Sequence, residues 1–93
     1  MILGATRAGV ADMLARELSE SDPRLLESLS RRIPDMLPKA YRWIEEMRQI
    51  AEFVTPDAAA GTIYQGASDL FDRIATDAAG GRTEAGALVR FFG

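Results

Sequence analysis

The 93-residue chain contains neither cysteine nor histidine. Their absence excludes disulfides, thiol nucleophiles, the usual zinc ligand sets and every acid–base scheme that uses imidazole. Any chemistry would have to use carboxylates, hydroxyls, guanidinium groups or an amine. We therefore expect no catalytic residue and no metal ligand in this chain.

Long apolar runs and basic runs are also missing. No stretch approaches the roughly twenty apolar residues of a membrane span, and the first residues lack the basic start of a signal peptide. Fourteen acidic and eleven basic residues give a net charge of −3, with no basic stripe to follow a phosphate backbone. We expect a cytoplasmic protein with no membrane and no nucleic-acid partner.

Apolar residues recur at helical spacing, and nowhere do they alternate with the period of two typical of a strand. The sequence predicts an all-α fold, a compact bundle of about five helices that forms one domain over residues 1–93. Three predicted helices cover residues 2 to about 19, 23–33 and 38–54. A fourth begins after the cap-then-proline pattern Thr55-Pro56-Asp57 and ends at Gly80-Gly81, and a last helix follows with Leu88, Val89 and Phe92 on its inward side. Gly61 either kinks the fourth helix or divides it in two.

Capping residues and prolines set several of these limits. Asp22 is a strong N-cap and Pro23 a good first helical residue. Pro34 disfavours helical angles at Ile33 and predicts a helix end there. Thr83, together with the following Glu84, is predicted to cap the last helix. Gly4 and Gly9 in the first helix indicate close packing or a kink.

The strongest amphipathic pattern begins at Pro38 and predicts a core helix around which the rest folds. Residues at helical spacing, together with large apolar neighbours, form one broad apolar face of this helix. That face consists of Ala40, Trp43, Ile44, Met47, Ile50, Ala51, Phe53 and Val54. The opposite side predicts ion pairs at helical spacing, namely Arg42 with Glu46, Glu45 with Arg48 and Arg48 with Glu52.

Several charged patterns were weighed as sites. Glu45 and Glu46 point about 100° apart on a helix and favour solvated ion pairing over a shared ligand. Asp69 and Asp72 could hold a divalent ion only with further oxygen ligands, so a neutralising role for Arg73 is favoured. Two more patterns, Arg31-Arg32 as a phosphate clamp and residues 4–9 as a phosphate loop, are weaker than their structural alternatives.

Lys39 is the only lysine in the chain. A lysine in the first turn of a helix opposes the helix dipole, so helix stability does not explain it. One interpretation is that Lys39 contacts an anionic ligand. The other is a solvated lysine whose stem rests on Tyr41 or Trp43.

The run Pro-Lys-Ala-Tyr-Arg-Trp-Ile-Glu-Glu-Met at 38–47 and the later Gly-Ala-Ser-Asp-Leu-Phe at 66–71 resemble the C-terminal helical domain of 6-phosphogluconate-dehydrogenase-like oxidoreductases. The resemblance extends from about Thr6 to Arg90. It is greatest to a bacterial branch of dehydrogenase-like proteins whose C-terminal domain has no known function. Related 3-hydroxyisobutyrate-type enzymes carry a lysine–aspartate pair at a comparable helix start. Lys39 matches that lysine, and Ala40 stands in place of the aspartate.

The resemblance implies a separate Rossmann domain that binds NAD or NADP, and a helical domain that shapes the pocket for a small anionic substrate and forms a homodimer. It implies that this chain is a fragment that binds no cofactor and catalyses no hydride transfer alone. Ile2 and Leu3 open a helix with no capping residue ahead of them, so we expect that helix to continue upstream. We also expect Ile2, Leu3 and Val10 to be uncovered, which favours a dimer.

Two functions from different classes follow. The first is a substrate-pocket and dimerisation domain of an NAD(P)-dependent oxidoreductase acting on a small hydroxy acid or sugar acid, with Lys39 as the candidate contact. The second is a stand-alone helical interaction or dimerisation module without a ligand.

Overall fold

The computed structural model describes residues 1–93 as six α-helices and one 3-10 turn, without a strand. The elements are α1 (Ile2–Arg7), α2 (Ala11–Ser21), α3 (Pro23–Met36), the 3-10 turn (Leu37–Lys39), α4 (Arg42–Phe53), α5 (Ala58–Ala79) and α6 (Thr83–Phe92). The predicted all-α bundle is confirmed. None of the helices combines the length and apolar character needed to cross a membrane.

The first predicted helix is in fact two helices, because the helical backbone geometry is interrupted at Gly9. Gly9 adopts φ +73°, a left-handed angle that glycine reaches without a Cβ clash. No atom lies within 4 Å of a Cβ added at Gly4 or Gly9, so the break, and not close packing, accounts for Gly9. The break turns α1 back onto the bundle, where Ile2 is buried in the core. The expectation that Ile2 is uncovered was wrong, and Leu3 is partly buried against the same core, whereas Val10 is exposed.

Helix α3 begins as predicted and ends later than predicted. Asp22 Oδ1 accepts a hydrogen bond from Leu25 N at 3.1 Å, and Pro23 occupies the first turn. The helix continues through Pro34 to Met36, so the predicted end at Ile33 was wrong. Ile33 and Met36 pack against the core on either side of the proline, and that packing offsets the lost backbone hydrogen bond.

The core lies around the C-terminal half of α5 and not around the predicted central helix. Six buried residues form it, five from α1, the 3-10 turn, α5 and α6 and one, Ala40, from the link between the 3-10 turn and α4: Ile2, Leu37, Ala40, Ile74, Ala85 and Leu88. The predicted helix over 38–54 divides into the end of the 3-10 turn and α4, which packs mainly against α5 and buries only Ala51. Phe53, predicted to belong to a core face, is 86% exposed.

Helices α4 and α5 form a close antiparallel hairpin, and α5 is one continuous helix across Gly61. Asp57 Oδ1 caps α5 by accepting from Ala59 N at 3.1 Å. A Cβ added at Gly61 would lie 3.8 Å from the carbonyl oxygen of Ala51. The Ser68 hydroxyl donates to the carbonyl oxygen of Ile44 at 2.8 Å, so small residues let the two helices approach.

Helix α6 is capped by a residue of α5. Asp77 Oδ2 accepts from Ala85 N at 2.7 Å, and hydrogen bonds from the backbone of α6 hold the pKa of Asp77 below its ordinary value. Thr83 makes no capping bond, so that prediction was wrong. Glu84 instead pairs with Arg7 of α1 at 3.0 Å and Arg73 of α5 at 2.9 Å.

The exposed side of α4 carries two of its three predicted ion pairs. Arg48 pairs with Glu45 and with Glu52, and the hydrogen bonds from Arg48 lower the pKa of Glu45. Arg42 does not pair with Glu46. Its Nε donates to the Tyr41 hydroxyl at 3.4 Å, and its guanidinium lies 5.8 Å from the centre of the Tyr41 ring.

Candidate functional site

A groove of about 580 Å³ lies between the 3-10 turn and the C-terminal half of α5. Its volume falls within the range of small-molecule pockets, which is about 300–1,000 Å³. Prolines and alanines form most of its wall, and their small side chains leave the space open. The lining residues are Pro34, Leu37, Pro38, Tyr41, Ala75, Ala78, Ala79, Arg82 and Val89.

Two side chains give this groove polar character. The Tyr41 side chain lies at its edge, in a residue that is 60% exposed. Arg82 has φ 57°, a left-handed angle that is uncommon outside glycine, and its Nη1 donates to the carbonyl oxygen of Ala78 at 3.2 Å. This bond leaves other guanidinium N–H groups available. The groove therefore suits a ligand with an apolar body and one anionic group.

Lys39 lies in the same turn as Leu37 and Pro38 but is not among the residues that line the groove. Its Nζ pairs with Asp35 Oδ2 at 3.0 Å, and its side chain is 40% exposed. Because the 3-10 turn follows the C-terminus of α3 directly, Lys39 lies where a helix dipole favours a cation. Neither of the two interpretations weighed for Lys39 included this ion pair. Its role as a ligand contact remains a prediction.

The other charged candidates take part in local contacts. Asp69 accepts from Gln65 at 3.0 Å, and Arg73 pairs with Glu84 instead of neutralising Asp69 or Asp72. No three of the acidic residues are placed to hold a metal ion. Arg31 and Arg32 are exposed on α3. None of these groups points to a second ligand site.

A dinucleotide site does not fit the residues present. Such sites place a pyrophosphate at a free helix N-terminus that follows a strand. This chain has no strand, and a carboxylate already accepts from the first turns of three of its helices. Those carboxylates are Asp22 at α3, Asp57 at α5 and Asp77 at α6. They would repel a second anion.

One known family model matches most of this chain. The family model described as a domain of unknown function, DUF1932, matches residues 5–74. The chain belongs to the DUF1932 family. The matched region includes Lys39 and the first four lining residues of the groove, and it ends within α5, ahead of Arg82. No curated protein and no solved structure matches the chain.

Sequence reasoning missed Arg82 as a groove residue. Gly80 and Gly81 indicated a turn, but nothing in the sequence shows that the next residue takes a left-handed angle toward the alanine face of α5. Tyr41 carries a hydroxyl on an apolar ring, and that combination is the only sequence signal for its place at the edge of the groove.

Proposed function

We propose that this DUF1932 chain forms part of the substrate pocket of an NAD(P)-dependent oxidoreductase and is not catalytic alone. In this proposal another domain binds the NAD or NADP, and the substrate is a small hydroxy acid or sugar acid. The helical domain also joins two copies of the protein in a homodimer.

The family match over residues 5–74 carries this proposal. The DUF1932 family is known as a C-terminal domain of 6-phosphogluconate and 3-hydroxyisobutyrate dehydrogenase-like proteins. The match covers Lys39, whose position resembles that of a lysine near cofactor and substrate in the 3-hydroxyisobutyrate-type enzymes. The proposal accordingly assigns Lys39 to contact with an anionic group.

The groove supports a small anionic substrate on physical grounds, although Lys39 itself lies beside it and not in its wall. It offers apolar walls, the Tyr41 hydroxyl and the Arg82 guanidinium, and the 3-10 turn that forms one wall also holds Lys39. These groups could bind and orient a carboxylate or phosphate. The proposed role of this chain is binding and orientation only.

A matched pair of variants tests the role of Lys39. A ligand anion must compete with Asp35 for the ammonium group, so the two substitutions should act in opposite directions. Lys39→Ala should weaken binding of 6-phosphogluconate or 3-hydroxyisobutyrate about tenfold, the usual order for one lost charge-assisted contact. Asp35→Asn should strengthen binding several-fold. Titration monitored by amide chemical shifts of the 3-10 turn measures both.

Arg31→Ala is the control, because Arg31 is exposed on α3 and does not line the groove. It should leave the titration unchanged. Equal affinity for the native chain and Lys39→Ala would remove Lys39 from the site. No amide shift at Leu37, Tyr41 or Arg82 with either probe would contradict the groove as the binding site.

The DNA immediately upstream of the codon for Met1 separates the two functions. An in-frame sequence encoding a strand followed by Gly-x-Gly-x-x-Gly supports the oxidoreductase proposal, because that fingerprint binds the dinucleotide pyrophosphate. A start codon with its own ribosome-binding site at Met1 supports the stand-alone interaction module instead.

A further inference from the structure

The α4–α5 hairpin has an apolar side that no other part of the chain covers. We call this side the hairpin face. It consists of Trp43, Ile50 and Phe53 of α4 with Ile63, Ala67 and Leu70 of α5. Phe53 and Ile63 are 86% and 68% exposed, and Leu70 is also exposed. Exposed apolar groups that lie together at one surface mark an interaction site.

One stripe of apolar residues along α5 runs from the hairpin face into the core. Ile63, Ala67, Leu70 and Ile74 follow one another at spacings of four, three and four, so they lie on one side of the helix. At its C-terminal end the stripe meets the bundle, and Ile74 is buried in the core. At the other end the same stripe meets solvent at Ile63. The two ends of the stripe differ only in whether other helices cover them.

The chain as a whole exposes more surface than a compact monomer of its mass. A folded monomer of 10.1 kDa is expected to expose about 5,300 Å². This chain exposes 6313 Å². This excess over the whole chain, about 1,000 Å², leaves room for the roughly 800 Å² that each partner buries in a standard interface, and the exposed side chains of the hairpin face contribute to it. The radius of gyration, 14.7 Å against about 12 Å for a compact chain of this length, is likewise enlarged.

We propose that the hairpin face is the surface through which two copies of this chain associate about a twofold axis. A twofold contact requires one patch that complements itself. The hairpin face projects Phe53 and Ile63, and at its end near the bundle it continues into a groove of about 280 Å³ that is lined only by apolar side chains, including Leu70 and Phe71. The same surface therefore carries both projecting side chains and a groove that could receive those of a second copy.

The charges of α4 do not oppose this contact. Glu45, Arg48 and Glu52 form their ion pairs on the other side of the helix from Ile50, so they would remain in solvent. The net charge of −3 is small for 93 residues, and repulsion between two copies is correspondingly weak. Burial of apolar surface is therefore the main favourable contribution to the free energy of association.

Sedimentation of the full chain over a concentration series tests the proposal. The native protein should sediment as a species of twice 10.1 kDa. The double variant Phe53→Glu/Ile63→Glu should raise the dimer dissociation constant at least about tenfold, because two charges would enter an apolar contact. Both residues are mostly exposed in the single chain, so the variant should keep native helicity by circular dichroism.

Met13→Glu is the matched control. Met13 is 67% exposed on α2, which is nearly the same fraction as Ile63, but it lies outside the hairpin face. It should leave the dissociation constant unchanged. A native protein that stays monomeric throughout the series overturns the proposal. So does a dimer that survives Phe53→Glu/Ile63→Glu or dissociates with Met13→Glu.

Trp43 gives a second readout, since it is the only tryptophan and is half-buried, 5.6 Å from the ring of Phe71. Its emission should shift to shorter wavelength as the native protein dimerises, and Ile63→Glu should abolish that concentration dependence. An emission maximum that is the same at all concentrations of a dimerising protein would place the contact elsewhere and overturn the proposal.

This inference specifies the homodimer of the proposed function but can fail separately from it. Phe53 and Ile63 do not line the groove beside the 3-10 turn, so a monomeric variant should bind the anionic probes as the native chain does. Loss of ligand binding in Lys39→Ala should in turn leave sedimentation unchanged.

Discussion

Asp77 belongs to α5 but caps the next helix, α6. It lies in the last turn of α5, where the dipole disfavours a carboxylate, yet it accepts from the backbone at the start of α6. The hydrogen bonds from Ala85, Glu84 and Thr83 lower the pKa of Asp77. The charged form is therefore the one that stabilises the junction between the two helices.

We expect Asp77→Ala to lower the melting temperature by about 5 °C at neutral pH, the usual effect of a lost cap in a domain of this size. A pKa lowered in the folded state means that this contribution is complete above the ordinary value of 3.8 and disappears as the pH falls below it. The difference in melting temperature between native and variant protein should therefore shrink in acid. Thermal melts at several pH values measure it.

Asp72→Ala is the control for this effect, because Asp72 is an exposed carboxylate on the same helix. It should change the melting temperature little at any pH. A constant difference between native protein and Asp77→Ala from neutral to strongly acid solution would show that the charge of Asp77 is not what caps α6.

At the scale of the helices, two glycines have opposite roles. Gly9 separates α1 from α2 with φ +73°, whereas Gly66 lies inside α5 with open space where a Cβ would stand. Gly9→Ala should reduce the free energy of unfolding by about 1 kcal/mol, because alanine is strained at a left-handed angle. Gly66→Ala should increase it by about 0.5–1 kcal/mol through helix propensity. Urea denaturation of both variants gives the two values.

The two variants serve as controls for each other, since each adds one methyl group at a solvent-exposed position. Stabilisation by both would mean that α1 and α2 can join into the single helix predicted from sequence. Destabilisation by both would mean that Gly66 has a contact that the isolated chain does not make.

Local signals determined which helix boundaries could be predicted. Asp22 and Pro23 act within one turn, so their effect was predictable, and the glycines at 80–81 marked the end of α5 in the same way. Pro34 was misinterpreted because packing of the surrounding helix against the core outweighs the local preference of a proline. The Asp77 cap depends on a side chain eight residues before its donor across a turn, and no short pattern indicates such a contact.

At the scale of the whole molecule, the apolar pattern of α4 predicted a helix but not its surroundings. Amphipathicity shows that one side avoids water, and it does not show what covers that side. Trp43, Ile50 and Phe53 were therefore assigned to the core although they lie on a hairpin at the edge of the bundle. The same limit applies to the groove, because Tyr41 and Arg82 are forty-one positions apart and meet only through the fold.

Glu84 holds distant parts of the chain together and allows a test at this scale. Its side chain is only 19% exposed, and it pairs with Arg7 near the start of the chain and with Arg73 of α5. Both arginines are largely solvated, so each pair contributes modestly. Glu84→Gln should reduce the free energy of unfolding by about 1 kcal/mol, and the reduction should be smaller at high salt because screening weakens the native pairs.

Arg7→Ala removes the contact to α1 but keeps the one to α5, so its effect should be smaller than that of Glu84→Gln. Glu46→Gln, an exposed carboxylate outside these ion pairs, should have almost no effect. Urea denaturation at low and high salt separates the three variants. If Glu84→Gln were as stable as the native protein at low salt, the three helices would be held by apolar packing alone, and Ile2 would be the residue that fixes α1 to the bundle.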